Sequence, residues 1–398
     1  MTDSSPSDRR VDARRADRLA WLDRVLAERG ERALGPATPL TADASFRRFE
    51  RVPTDVGSRI LMDAPPATER NAEFIAIAAW LEQSGLQAPK VLAADPERGF
   101  LLVTDLGDLT LERALRVGNP AQQLQLYRRA IDTLIALQAA ARVHPPPFAS
   151  YDRARLDLEN GLFGSWFIEG LLGLDAPRSL LDPLFATLTR AHLGAPRAGV
   201  HLDWHCRNLL VLDGTLGNRT EDRTDGRTGG SPDDRADGRT DDRTDRRLDS
   251  EGSGDDRGSA NGRIGIVDFQ DARIGPVCYD LVSLLRDCYQ PPSAARVAAG
   301  VEHYLHGARA AGIEGTDDRE AFLRAFDLIG MQRHLKAIGI FARLHLRDGR
   351  DHALADIPNT LEHLLAVAPG YPQTRPLAAW LSDTVTPALQ RWQAGRRT

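Results

Sequence analysis

His201-Leu202-Asp203-Trp204-His205-Cys206-Arg207-Asn208, followed further on by Ile266-Val267-Asp268-Phe269-Gln270, decides how the rest of the chain is read. An acid five residues before an amide, then a second acid closing an apolar run, is the set that phosphoryl transfer requires. One carboxylate takes or orients the proton of an attacking hydroxyl, and an amide with a carboxylate holds Mg²⁺ against nucleotide phosphates. Asp203 is the candidate for the first role, Asn208 and Asp268 for the second. His201 is expected to prop the loop, and His205 and Cys206 to be structural. The obstacle is spacing, because Asn208 and Asp268 stand 60 residues apart.

The intervening segment removes that obstacle. From about Gly214 to Gly262 units such as Asp222-Arg223-Thr224-Asp225 recur irregularly, and between Arg219 and Arg257 stand 13 acids and 9 arginines. With almost no apolar side chains the tract cannot bury enough surface to offset its ordering entropy, so disorder is expected. A docking arm is the functional alternative. Excising it leaves Leu209–Leu212 and Ile264–Val267 as the strands of a short hairpin, with the tract at its tip.

A chain of 398 residues exceeds the usual single-domain size, so two lobes are expected, and 42% hydrophobic residues suffice for their cores. The net charge of -5 is mild and no basic stripe occurs, which argues against a nucleic-acid partner. Cys206, Cys278 and Cys288 lack metal-like spacing, so reduced thiols in a cytoplasm fit best. No apolar leader and no run of about 18 apolar residues appears, so neither export nor a membrane partner is expected. A monomer is expected.

Helical spacing over 11–30 precedes short strand-like pieces at Ser45–Val52 and Arg59–Met62. A helix over 68–84 with Thr68 as N-cap follows, then strands Val91–Ala94 and Phe100–Thr104. Beyond Asp105 the pattern is helical near 109–117, 120–142, 154–172, 179–192, 279–289, 294–312, 318–347 and 377–393. Residues 1–105 therefore read as a helix plus a small antiparallel lobe, and 106–398 as a larger helical lobe: an α+β bilobal chain.

These motifs resemble the aminoglycoside phosphotransferase and choline kinase-like superfamily, whose fold is that of protein kinases. The resemblance implies ATP and Mg²⁺ as cofactors. It makes Phe100-Leu101-Leu102-Val103-Thr104-Asp105-Leu106 the last small-lobe strand and hinge, with adenine bonding to backbone from Thr104 through Asp105 to Leu106. Glu73 resembles the helix glutamate that orients a strand lysine toward phosphates. That lysine is missing, because Ile60-Leu61-Met62-Asp63 has none and the chain's two lysines are Lys90 and Lys336. No Gly-x-Gly-x-x-Gly loop precedes the strand. In its place stands Asp43-Ala44-Ser45-Phe46-Arg47-Arg48, where Ser45 and Phe46 would offer backbone N–H groups and Arg47 or Arg48 the positive charge. Strand alternation allows only one of the two arginines to face the cleft.

Met62-Asp-Ala-Pro-Pro66, Tyr279-Asp-Leu-Val-Ser-Leu-Leu-Arg-Asp-Cys-Tyr289 and Met331-Gln-Arg-His-Leu-Lys-Ala-Ile-Gly-Ile-Phe-Ala-Arg-Leu344 resemble the bacterial anomeric amino-sugar kinases of cell-wall recycling. What that implies is phosphorylation of the C1 hydroxyl of N-acetylmuramate and/or N-acetylglucosamine, in peptidoglycan recycling. Gln332, Arg333, His334, Arg286 and Asp287 become candidate sugar contacts, an arginine suiting a lactyl carboxylate. Trp166 and Trp204 are candidates for stacking on the ring, and Asp280 for bracing the Asp268 loop. Other acceptors of the superfamily (an aminoglycoside, choline, homoserine) and a pseudokinase scaffold remain alternatives.

Overall fold

Period-two alternation gives the small lobe its two faces. The computed structural model of the chain describes residues 6–40, 47–212 and 263–396, with side chains from residue 14 onward. Ser45, Phe46 and the charged tract lie outside the described residues. Strands β1 (Thr38–Pro39), β2 (Arg48–Thr54), β3 (Gly57–Asp63), β4 (Val91–Asp95) and β5 (Phe100–Thr104) form an antiparallel sheet in the order β1-β2-β3-β5-β4. In β2 and β3, Phe49 opposes Met62 and Arg51 opposes Ile60, and all four turn toward a cleft. On the other face Val52 and Leu61, with Phe100 and Leu102, pack under Trp21, Leu22, Val25 and Leu26 of α1 (Pro6–Glu28). Glu50 and Asp63 share that face and are held by the buried Arg18 at 3.0 and 2.6 Å, so even its charges are internally balanced.

Helix α2 (Asn71–Gln83) starts later than its sequence suggests. Thr68 does not cap it, because its hydroxyl donates to the Pro65 carbonyl in the preceding turn. Past β5 the expected helical periods appear: α3 (Leu111–Val117), α4 (Pro120–Val143), α5 (Arg153–Leu162) with a π-helical continuation over Phe163–Leu171, α6 (Arg178–Gly194), α7 (Tyr279–Leu285), α8 (Ala294–Ala310) and α9 (Arg319–Asp348). The 30-residue α9, about 45 Å long at 1.5 Å per residue, is the axis of this lobe. Leu328, Met331, Leu335, Ile338 and Ala342 recur at three- and four-residue steps and join Phe163, Phe167 and Ile168 in one core. Gly339 permits the approach, since a Cβ there would lie 2.5 Å from the Leu162 carbonyl carbon.

Strands β6 (Ala149–Ser150), β7 (Arg197–Val200) and β10 (Arg273–Pro276) form one small sheet, and β8 (Leu209–Val211) pairs with β9 (Ile264–Ile266). Leu209 opposes Ile266 and Val211 opposes Ile264, the hairpin that excision of the charged tract predicts. Ile266 N–H donates to the Gln87 carbonyl at 2.7 Å, tying this hairpin to the segment after α2. The three cysteines are unbridged, and among the described residues no helix is long and apolar enough to cross a membrane.

Candidate active site

Between the sheet and the helical lobe lies a cavity of about 810 Å³ that Asp203, Asn208 and Asp268 all line. Two residues of the loops that carry these acids adopt left-handed backbone, Leu202 with φ 74° and Asp268 with φ 63°. Neither is glycine, so each costs on the order of 1–3 kcal/mol unless the surroundings fix it. The fully buried Asp280 at the start of α7 does so for Leu202. Its carboxylate accepts from His201 N–H at 2.6 Å and Leu202 N–H at 2.9 Å. Asp280 thus braces the loop of Asp203, not that of Asp268 as expected. Burial pushes its carboxyl up to about 7, against the two N–H groups that favour the ionised form.

His201 joins the two halves of the motif. Its Nδ1 accepts from Asp203 N–H at 3.3 Å, which leaves Nε2–H to donate to the Val267 carbonyl at 3.0 Å. Burial lowers its pKa, so the ring stays neutral in this role. Asn208 closes the constellation: its amide N–H lies 3.2 Å from the Asp203 carbonyl and 3.5 Å from the Asp268 carboxylate. Gln270 donates to the other Asp268 oxygen at 2.6 Å, and the next residue, Phe269, stacks on Phe74 of α2.

Burial alone would raise the Asp203 carboxyl, but the cations of Lys336 and, less strongly, Arg333 hold it below the ordinary carboxylate range. Asp203 is therefore an anion at neutral pH. Asn208 and Asp268 are two hard oxygen donors, and among the described residues no cluster of three or more His, Cys, Asp or Glu could hold a metal by itself. Such a half-site fits Mg²⁺, which takes one or two protein ligands and fills its shell with phosphates and water. Cys206 is no nucleophile, because burial raises its thiol far above its usual range.

The cleft-facing positions of β3 carry Ile60 and Met62, while the buried Arg47 lines the cavity and pairs with Glu69 at 2.8 Å. Its guanidinium also lies 5.6 Å from the Phe74 ring. Arg48 is exposed on the opposite side of the strand. Glu73 is exposed and pairs with Arg70 at 3.2 Å, so the acid beside Arg47 is Glu69, four residues earlier. Thr104, Asp105 and Leu106 line the cavity where a hinge is expected. The Asp105 carboxylate is occupied by Arg51 at 2.6 Å, Ser58 at 2.7 Å and Gly107 N–H at 2.9 Å, so only its backbone faces a ligand's needs.

On the helical wall four of the five candidate sugar contacts are corrected. Arg286 binds Asp327 at 2.6 Å, and Asp287 accepts from the backbone of Cys206 and Tyr289. Gln332 donates to Asn160, and His334 bonds to the Arg286 carbonyl while stacking on His363. All are engaged inside the lobe, and none lines the cavity. Arg333 does, as does Lys336 one turn along α9, with Glu159 at 3.1 Å and the Tyr279 hydroxyl at 3.4 Å. Sequence reasoning passed over Lys336, although its three-residue step from Arg333 put both on one face. Arg207 also lines the cavity, 3.6 Å over the Tyr289 ring and paired with Glu112 at 3.2 Å. Trp204 is fully buried and Trp166 packs against the helical core, so neither is a stacking platform.

A family model described as the phosphotransferase enzyme family matches residues 36–217 and 256–321, its gap falling within the charged tract. The chain is 33% identical over 381 residues to the N-acetylmuramate/N-acetylglucosamine kinase of Pseudomonas aeruginosa, covering 94% of this chain and 97% of that protein. Against the protein of the same name from Neisseria meningitidis the identity is 33% over 370 residues, 92% and 94% of the two chains. Among solved structures, the GDP complex of a mutant aminoglycoside 2'-phosphotransferase IIIa superposes with a TM-score of 0.52 at 13% identity, over 86% of this chain and 97% of that one. The last comparison supports the bilobal kinase-like fold.

Proposed function

The chain belongs to the phosphotransferase enzyme family, and from that premise we propose that it transfers the γ-phosphoryl group of ATP to the anomeric C1 hydroxyl of N-acetylmuramate and/or N-acetylglucosamine. The observation that carries the reaction class is the convergence of Asp203, Asn208 and Asp268, with the Asn208 amide within 3.2–3.5 Å of both acids' residues. The acceptor oxygen attacks the γ-phosphorus, the bond to the ADP oxygen breaks, and the hydroxyl proton passes to Asp203. An anomeric hydroxyl is more acidic than an ordinary alcohol, so a carboxylate held low suffices as acceptor. Asn208 and Asp268 would hold Mg²⁺, which when bound neutralises charge on the phosphates. Arg47, steadied by Glu69, takes the place of the absent strand lysine toward those phosphates.

The substrate follows from the named relatives, and the cavity agrees with it. Arg333 and Lys336 beside Asp203 weigh against a cationic acceptor such as an aminoglycoside or choline. The setting is peptidoglycan recycling in the cytoplasm, where ATP is made. The test is phosphate transfer from Mg-ATP to both sugars beside a C1-blocked glycoside of each. The free sugars are phosphorylated and the glycosides are not; turnover of a glycoside overturns the C1 assignment.

A further inference from the structure

Each of the other arginines and lysines lining the cavity has a carboxylate partner at 2.6–3.2 Å. Arg333 has none. The residue is 6% exposed, and among the described residues its one hydrogen bond runs to the Cys288 sulfur at 3.4 Å. A thiol is a weak acceptor, and although Asp287 and Asp203 act on the Arg333 charge from beyond contact distance, a buried guanidinium with no carboxylate bound to it leaves donors for a ligand to satisfy. Arg333 lines the same cavity as Asp203. Along the same face of α9, Ala337, Ile340 and Phe341 follow at helical spacing and line the cavity as an apolar strip. A cation at the head of an apolar strip suits an acceptor with a short carboxylate-bearing branch. The nucleotide phosphates have Arg47 on the small-lobe wall and the Asn208–Asp268 half-site.

We infer that Arg333 is a specificity-determining residue that binds a carboxylate on the acceptor, and so separates the acidic sugar N-acetylmuramate from neutral N-acetylglucosamine. This rests on the amino-sugar reading above. The guanidinium grips the lactyl carboxylate by paired N–H···O bonds, and the lactyl methyl lies on the apolar strip. Neutral sugars lose that grip and nothing else.

The experiment measures kcat/KM with Mg-ATP for N-acetylmuramate, its methyl ester and N-acetylglucosamine, in the wild type, Arg333→Met and Arg333→Lys. In the wild type, esterification lowers kcat/KM roughly 10- to 100-fold, the value of a bidentate charge-assisted pair. In Arg333→Met the acid-to-ester and acid-to-N-acetylglucosamine ratios fall by a similar factor, and Arg333→Lys recovers part of the acid's advantage. Thermal shift gives a second readout: N-acetylmuramate raises the wild-type Tm more than N-acetylglucosamine does, and Arg333→Met erases the difference. An equal loss on all three sugars overturns the inference, assigning Arg333 to the phosphates or the fold, while the amino-sugar reading stands. A wild type that phosphorylates neither free sugar sinks the reading and the inference together.

Discussion

In the catalytic loop these ties have backbone at one end: Asp203 N–H to His201, His201 to the Val267 carbonyl, Leu202 N–H to Asp280. On the α9 face of the same cavity the interactions are charge to charge and come from other elements, Lys336 to Glu159 of α5, while among the described residues Arg333 has no carboxylate in contact. The loop is a backbone device whose geometry survives when a carboxylate is neutralised. The α9 face is an electrostatic device that changes character with each charge removed. Substitutions should therefore separate chemistry from fold in the loop, and acidity and selectivity from chemistry on the helix.

The largest effect belongs to the loop. Asp203→Asn keeps the size of the side chain and the backbone bonds of the loop, and removes the proton acceptor. We expect kcat to fall about 10²- to 10⁴-fold with Tm nearly unchanged. A comparable loss of Tm would show that Asp203 holds the loop, and would break the contrast. The next effect is on the phosphate wall. Arg47→Met should raise KM for ATP about 10-fold or more, a charge-assisted contact being worth about 1.5–3 kcal/mol, whereas Arg48→Met on the exposed side should leave it within two-fold. Equal responses from the two arginines would remove Arg47 from its assigned place.

The same contrast explains what could be read from the sequence. Asp203, Asn208 and Asp268 were legible because a backbone-held motif keeps its residues at fixed spacing, once the charged tract is set aside. The main small-lobe strands, the hairpin and most helical periods beyond Asp105 were legible because alternation and the 3.6-residue repeat are local; the helix Ile357–Val367 and the short strands β6, β7 and β10 were not. Glu69 was not, because the acid that meets Arg47 depends on where α2 starts, and Thr68 is used in a turn instead of as a cap. Nor were the roles of Gln332, His334, Arg286 and Asp287. A polar residue on a mostly apolar helix has one signature whether it faces a ligand or a buried partner such as Asn160, and only packing decides.

The smallest effect is also the one that tests the α9 face most directly. Lys336 leads the charges that hold the Asp203 carboxyl low against its own burial, ahead of Arg333. A carboxyl whose folded pKa is depressed stays ionised down to acid pH, so the acid limb of kcat/KM, where Asp203 takes up its proton, lies below the ordinary carboxylate range. Removing Lys336 leaves burial, which acts in the opposite sense, less opposed. In Lys336→Met the limb should therefore move to higher pH, and by more than in Arg333→Met, whose charge ranks later. Glu159 keeps Arg155 at 2.8 Å and the Tyr151 hydroxyl, so the variant stays folded and the profile can be recorded. Depression by charge also stabilises the folded enzyme above the unfolded carboxylate pKa and fades as pH falls through the folded one. The wild type should accordingly gain more Tm than Lys336→Met between acid and neutral pH. Superimposable pH profiles would mean that the loop alone sets the acidity of Asp203, and that the two regions are one device.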